Sequence, residues 1–553
     1  MTVRNEIHRL VADAFYRAQA AGDLPALELP EFAVERPARP EHGDFAVSLA
    51  LRLARAARMP PLRIAEAISR QIDRADFLAR VEVAAPGFIN FFLDDGWLCR
   101  QVDEILAAGP DYGRVPAAEP LKIQVEFVSA NPVGPLHVGN GRGAVLGSTL
   151  ASILELAGHR VTREYYINDA GSQMDAFYRS LWARYLQALG HEAEFPADGY
   201  PGQYLVDIAR EVAAEHGDRF LAMPEAEGRL ALGKLGVEKV LGLIRRDLAD
   251  LGVSFDVWYS EQSLYSSGLF EKVLGLLRER GFVEEREGAL WFVSTALGED
   301  KDNVLIRSNG LPTYFASDIA YHYDKFAIRG FDRVIDIWGA DHQGHVPRMK
   351  AAVQALGFDP DRLIIILTQM VTLRRGAEVV RLSKRTGEII SLREVIDEVG
   401  PDACRYFFLS KSADTQMDFD LELARQQTQE NPVYYIQYAH ARICSILRNA
   451  AERGLDYAGG DVAKLGHPAE LRLIRRLIQL PELVENAAQT LEPHHFPHYA
   501  LDLADEFHGF YEQCRVISED LELSRARLKL VKAAQTVLAN TLRIMGINAP
   551  ERM

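Results

Sequence analysis

A near-continuous β-prone run, LKIQVEFV from Leu121, leads into the punctuated loop SANPVGP. A helix-like stretch, HVGNGRGAVLGSTLASILELAG, follows, and then a second β-prone run, HRVTREYYIND. Strand, loop, helix and strand in that order open a βαβ unit, whose strands belong to a parallel sheet. The pattern resumes at 333–343, where RVIDIWGADHQ reads as a strand ending in a polar loop. VPRMKAAVQALG then reads as a helix and RLIIILTQMV as another strand. Between the two halves, residues 172–260 are mostly helical and polar, an insertion into the α/β unit.

With 553 residues the chain is too long for one core and predicts about three or four domains. Residues 1–115 read as a small α+β domain, with amphipathic segments Arg4–Ala21 and Ala46–Arg58 and the strand pair VEVAAPGFINFFL. The Gly-, Pro- and Ala-rich loop at 107–120 marks its end. Residues 116–392 form a Rossmann-like α/β domain with the insertion at about 172–260. From 393 to 553 nearly everything has helical periodicity, with a core domain at about 430–553 and breaks at Pro432 and Gly459–Gly460.

Composition narrows the classes. Hydrophobic residues at 48% and charged residues at 25% are those of a soluble globular protein. No run of about 20 apolar residues is present, and the charged start MTVRNEIHRLVADAF lacks a signal core, so a cytoplasmic protein is expected. Cys99, Cys404, Cys444 and Cys514 form no CxxC pair, which argues against a disulfide framework or a cysteine-based zinc site. A net charge of −16 argues against nonspecific polyanion binding. It leaves room for a specific RNA partner, because the acidity is concentrated ahead of Asn431. Neither DNA nor a membrane is expected as a partner.

Ligands of an open α/β sheet bind where strand ends meet helix N-termini, and free N–H groups there suit phosphate. Pro135 fixes the turn before such a helix, His137 can donate to phosphate, and Gly139, Gly141 and Gly143 let a flat ring approach the backbone. The same glycines could simply allow tight helix packing. RLSKRTG at 381–387 adds a serine and a lysine, Ser383 and Lys384, able to meet a triphosphate. By itself such a basic loop is usually just solvated. Order gives it weight: HxGN follows the first strand of the sheet and LSK the last.

That pairing resembles the HIGH and KMSKS signatures of class I aminoacyl-tRNA synthetases, in PLHVGN and RLSKR. The blocks EFVSANPVGPLHVGNGRGAVLG, YYINDAGSQ, LPTYFASDIAYH, WGADHQGHVPRM and NPVYYIQYAHARI are similar, in order, to bacterial arginyl-tRNA synthetases. HGDFAVSLAL and APGFINFFL resemble that family's N-terminal domain. The resemblance implies ATP-dependent activation of arginine and its transfer to tRNA(Arg), with Mg2+ accompanying ATP and no bound zinc. His137, Asn140 and Lys384 would be catalytic, and Pro135, Gly139, Gly141, His342, His345 and Ser383 would contact ATP. Asn140 stands where the signature has histidine, and it can donate a hydrogen bond but carries no charge. Relatives lacking the second signature lysine carry one just before HIGH; this chain has Gly134 there, so dependence on Lys384 is expected.

By the same resemblance Glu126 and Asp318 bind the guanidinium, Tyr314 packs on its plane, and Asn131 and Gln343 hold the α-amino end. Carboxylates suit a planar fork of donors. Tyr434, Tyr438 and Arg442 would face tRNA in an all-α anticodon-binding domain, the N-terminal domain would touch the tRNA elbow, and the protein would act as a monomer. His342 and His345 could instead be a zinc pair, but no further ligand stands at recognisable spacing. The histidines of EPHHFPHYALDLADEFHGFY read as packing. Three other readings remain: a nucleotidyltransferase acting without RNA, a synthetase-like RNA binder without catalysis, and a glutamate or glutamine synthetase. The helical C-terminal third, the retained His137 and Lys384, and the two carboxylates argue against each in turn.

Overall fold

The computed structural model describes residues 2–380 and 390–553. Ser383 and Lys384, expected at the nucleotide, lie outside the described residues.

The N-terminal domain opens with helix Val3–Ala20, capped by the Thr2 hydroxyl, which accepts from the Asn5 amide. Its Ile7, Val11 and Phe15 share a core with an antiparallel sheet of β1 (Val34–Glu35), β2 (Phe45–Val47), β3 (Leu78–Ala84) and β4 (Phe88–Leu93), in spatial order β1-β2-β4-β3. The segment expected as helix from Ala46 is divided. Phe45–Val47 is a strand buried on alternate residues, and the helix runs over Leu49–Ala57. Three residues are too few for a period of two to show in sequence.

The largest sheet has five parallel strands. β5 (Lys122–Glu126) is central; the chain moves outward through β6 (Arg160–Ile167) to β7 (Val257–Ser260). An excursion follows, carrying an antiparallel sheet of β8 (Val283–Arg286), β9 (Ala289–Phe292) and β10 (Asn303–Ile306). The chain then returns to the other side of β5 as β11 (Arg333–Gly339) and β12 (Leu363–Thr368), giving the order β12-β11-β5-β6-β7. The direction of winding therefore switches between β5 and β11, and the crevice at their carboxyl ends is where such sheets bind ligands.

Two features differ from the sequence reading. The helical insertion, Ser172–Ala188, Gln203–His216 and Glu225–Asp250, ends before β7, because Val257–Ser260 pairs with β6 and stacks Trp258 on Tyr165. After Arg393 one strand persists among the helices. It belongs to a sheet of β13 (Val371–Arg375), β14 (Glu378–Val380) and β15 (Met417–Asp420), in which β15 lies parallel to β13. β7 and β15 are each four residues long, and their pairing is set by distant partners that local periodicity does not register.

The helical domain comprises Pro432–Glu452, Pro468–Leu477, Leu480–Thr490, His495–Gln513 and Leu521–Met545. It is clasped to the N-terminal domain by Arg36 on Glu482 at 3.0 Å and by Arg475 on Asp44 at 2.7 Å. Arg405, buried, ties it to the α/β domain through the Met545 and Leu251 carbonyls and the Ser148 hydroxyl.

Candidate active site

β5 ends at Glu126, and the chain then turns sharply. Val128 and Ser129 have φ of 69° and 40°, a left-handed conformation that costs energy, most of all for a β-branched residue. The turn brings Ser129 back so that its hydroxyl donates to Glu126 Oε1 at 2.9 Å and accepts from the Tyr166 amide at 3.1 Å. The other oxygen, Oε2, accepts from Lys325 Nζ at 2.6 Å.

Lys325 is fully buried and also donates to Asp336 Oδ1 at 2.8 Å, in the middle of β11. Asp336 Oδ2 faces His322 Nε2 at 3.0 Å, and His322 Nδ1 faces the Asp318 carbonyl at 2.7 Å. Burial opposes ionisation of Asp336, yet Lys325 and His322 hold its carboxyl below the usual range. Burial pushes Glu126 up, and Lys325 offsets this only in part. The ammonium is thus shared between two carboxylates.

Two further carboxyls stand beside this network. Asp318 lies one turn after Tyr314 on helix Tyr314–Tyr323, the spacing that puts both on one face. Burial, reinforced by Glu261 and Glu126, pushes Asp318 up to about 8. Glu261 follows β7 directly, is only 3% exposed and is pushed up to about 6 by burial. Its Oε2 has no hydrogen-bond partner among the described residues, and neither has the nearby Tyr166 hydroxyl. Glu126, Asp318 and Glu261 together exceed what one shared ammonium neutralises. A cation is the complementary ligand, and a guanidinium presents five donors in a plane. Tyr314, 43% exposed, is free to cover such a plane.

The second half of the site is the signature helix, Val138–Leu156. His137 is its N-cap, and a capping box joins it to Asn140. His137 Nδ1 accepts from the Gly139 amide at 3.1 Å, so the neutral ring carries its proton on Nε2. Desolvation holds the imidazole below its ordinary range, against the pull of Asp341. Asn140 Oδ1 accepts from the His137 amide at 3.0 Å, which leaves the amide NH2 as a donor. His137 therefore keeps one N–H donor for a ligand and Asn140 two. Pro135 is exposed ahead of them. Gly139 is half-buried; Gly141 is buried, and a Cβ there would lie 2.5 Å from Leu392 Cδ1, so its place in the helix is a packing requirement.

β11 ends in a 3-10 turn, Ala340–His345, that exposes His342 and Gln343 and half-buries His345. The two imidazoles lie 5.4 Å apart, and His345 Nε2 is 2.6 Å from Arg348. Asn131, on the loop leaving β5, donates to Gln173 at 2.6 Å. Asn131 and Gln343 thus occupy the two loops that flank the switch point. Among the described residues no group of three His, Cys, Asp or Glu could hold a metal ion.

Residues 101–420 match the family described as "tRNA synthetases class I (R), catalytic domain". Residues 3–93 match "Arginyl tRNA synthetase N terminal domain" and residues 436–553 "DALR anticodon binding domain". An arginine–tRNA ligase of Dehalococcoides mccartyi is 55% identical over 553 residues, covering 100% of this chain and 99% of that one. The chain belongs to the class I arginyl-tRNA synthetase family. A relative from Heliobacterium modesticaldum, also an arginine–tRNA ligase, is 52% identical over 100% of this chain and 99% of its own. A solved structure titled as a putative arginyl-tRNA synthetase from Campylobacter jejuni superposes with a TM-score of 0.77 at 35% identity, covering 83% of this chain and 100% of that one. The Thermus thermophilus arginyl-tRNA synthetase shares the fold over the full length of both chains, with a TM-score of 0.79 at 24% identity.

At the start of the C-terminal helical domain, the Tyr434 and Tyr438 rings lie parallel on helix Pro432–Glu452, 6.3 Å apart. The Arg442 guanidinium lies over both Tyr438, at 5.2 Å, and Tyr511, at 5.1 Å. Tyr434 also lines a cavity of about 580 Å³ with Asp402, Gln437 and Met553. Sequence reasoning missed Lys325, Asp336, His322 and Glu261. Asp336 left a trace, as a charge inside RVIDIWG, because parallel strands buried on both faces are otherwise apolar. Lys325 sits in a π-helical turn, Asp324–Ile328, which nothing local announces.

Proposed function

We propose that one cleft, at the carboxyl ends of β5 and β11, carries both substrates of the first step. As a member of its family the chain is an arginine–tRNA ligase: it activates L-arginine with ATP and transfers it to tRNA(Arg), releasing AMP and pyrophosphate. Glu126 and Asp318 receive the guanidinium, Tyr314 covers it, and Asn131 and Gln343 hold the α-amino end. His137 through Nε2–H and Asn140 through its amide donate to ATP phosphates. Pro135 and Gly139 border the nucleotide, Gly141 seats the helix beneath it, and His342 and His345 approach from the β11 side. Ser383 and Lys384 meet the β- and γ-phosphates as charge builds on them.

The chemistry is attack of the arginine carboxylate on the α-phosphorus with loss of pyrophosphate. It needs no enzyme nucleophile, only orientation and charge stabilisation. ATP enters as its magnesium complex, a substrate rather than a resident metal. The helical domain reads the anticodon, with Tyr434 and Tyr438 as stacking faces and Arg442 as a cation, and the N-terminal domain supports the tRNA elbow. The reading includes a monomer working in the cytoplasm; no described helix is long and apolar enough to cross a membrane.

The observation that carries this reading is the surplus of carboxyls: Glu126, Asp318 and Glu261 beside one shared, buried Lys325. A lysine substrate would bring one point charge, and a neutral side chain would leave the carboxyls unpaired, so both are rejected strongly. The test is amino-acid-dependent exchange of labelled pyrophosphate into ATP, with each of the twenty amino acids, with and without tRNA. Exchange with arginine alone supports the reading. Exchange with glutamate or with several amino acids would overturn it.

A further inference from the structure

Arg142 stands on the signature helix two residues after Asn140 and is only 1% exposed. A buried guanidinium normally meets a carboxylate, because an uncompensated interior charge is costly. Among the described residues Arg142 makes no such ion pair. Its hydrogen bonds go to backbone carbonyls: Nη1 donates to Gln369 and Thr415, each at 2.9 Å, and Nη2 donates to Ser412 at 2.8 Å. Desolvation lowers the pKa of the group, and Asp414 opposes this only from a distance.

The three carbonyls come from two loops that belong to one structure. Gln369 lies in the two-residue link between β12 and β13, and its amide donates to the Ala413 carbonyl at 2.9 Å. Ser412 and Thr415 precede β15, which pairs with β13 from Val371↔Met417 onward. β13 in turn forms an antiparallel hairpin with β14, and the chain runs from β14 straight into the segment that contains Ser383 and Lys384. On the far side of that segment, the Leu392 amide donates to the Leu136 carbonyl at 2.8 Å, and Ser391 bridges His137. Leu392 itself fills the space left by Gly141. The first turn of the signature helix is thus pinned to the chain both before and after the LSK segment.

We propose that Arg142 is a positioning residue for ATP: its guanidinium fixes the start of the signature helix, with His137 and Asn140, against the β13–β14 hairpin. The Ser412 carbonyl also accepts from the Thr415 amide at 3.1 Å, so a hydrophobic replacement would cost chiefly the Gln369 and Thr415 carbonyls their donor, and the three directions suit a planar fork rather than a single ammonium. Separation of two phosphate-directed elements enters the barrier directly, since misplacement by about 1 Å can cost about 100-fold. The inference rests on the reading that the signature helix holds ATP.

The experiment compares wild type, Arg142→Lys, Arg142→Met and His137→Ala by ATP–pyrophosphate exchange at saturating arginine and tRNA, normalised to folded enzyme. KM for arginine and tRNA affinity by filter binding are measured alongside. The expected result for Arg142→Lys is a fall in kcat/KM for ATP of about tenfold or more, with arginine KM and tRNA affinity within about twofold. Arg142→Met falls further, and where it does not fold, Arg142→Lys, which keeps the charge, decides. An unchanged kcat/KM for ATP in Arg142→Lys overturns the proposal, and so does a parallel decline of all three parameters, which marks a merely structural role. Wild-type exchange in His137→Ala would instead remove the ATP-site reading beneath it.

Discussion

Lys325 Nζ lies 2.6 Å from Glu126 Oε2 with no exposure to solvent, so the charge of the proposed arginine pocket is set from behind, by a fully buried residue. Removing one partner of a buried ion pair leaves the other uncompensated and costs about 3–5 kcal/mol. Here two partners are stranded, Glu126 and Asp336. Lys325→Met is expected to lower the unfolding free energy by about that amount, measured by urea denaturation. Surviving folded enzyme should show a raised KM for arginine, because Glu126 then protonates more readily and loses its Oε2 anchor. Unchanged stability would show that Asp336 and Glu126 find other compensation.

A second expectation concerns pH. Burial holds the free-pocket carboxyls of Asp318 at about 8 and Glu261 at about 6, so each binds a proton in part of the neutral range. Arginine requires the ionised forms and displaces those protons. Free enzyme then carries more protons than the complex, and affinity rises as pH rises from about 6 to about 8, levelling above the higher value. One displaced proton gives at most about tenfold per pH unit. KM for arginine measured across this window should fall accordingly, and Asp318→Asn should both raise KM and flatten the profile. A flat wild-type profile would contradict the assignment.

The third prediction separates the two jobs of the signature pair. As a helix cap, the His137–Asn140 box contributes about 1 kcal/mol to stability. As a pair of phosphate donors, each contributes roughly 2.7–4 kcal/mol to the transition state, or about 100- to 1000-fold in rate. His137→Ala and Asn140→Ala should therefore lose exchange activity far out of proportion to their small drop in Tm. A variant that loses both in proportion would assign the pair to capping alone.

How much of this was legible beforehand follows from range. β5, the signature helix, β6, β11 and β12 were readable because each lies in a longer β-prone or helix-like run bounded by its own punctuation. Glu126, Asp318 and His137 were readable through motif blocks of some length. β7 and β15, four residues each, were not, because a strand that short is defined by the partner it pairs with. Lys325 is the clearest case: in sequence it is one lysine among charged neighbours, DKFAIRG, and only the meeting of β5, β11 and a π-helical turn makes it the buried counter-charge of the site. Arg142 hides in the same way inside GNGRGAV, where a basic residue near a phosphate site invites a solvent-facing role.

The last prediction concerns the face for tRNA. Tyr434 and Tyr438 are half-buried, with parallel rings, and Arg442 bridges Tyr438 and Tyr511. Parallel rings one helical turn apart offer flat faces to unstacked bases, and an arginine held by two rings keeps its charge in place. Loss of one stacking face costs about 1–3 kcal/mol per base. Tyr438→Ala should therefore weaken tRNA binding by about 5- to 150-fold, with arginine KM at saturating tRNA unchanged. Arg442→Gln should weaken it less at high salt than at low salt, reducing the dependence of log affinity on log salt by about one phosphate contact. Filter binding across a salt series distinguishes the two. If Tyr438→Ala leaves affinity intact but lowers Tm, the tyrosine serves the packing of helix Pro432–Glu452 against His508 and the anticodon contact lies elsewhere on the domain.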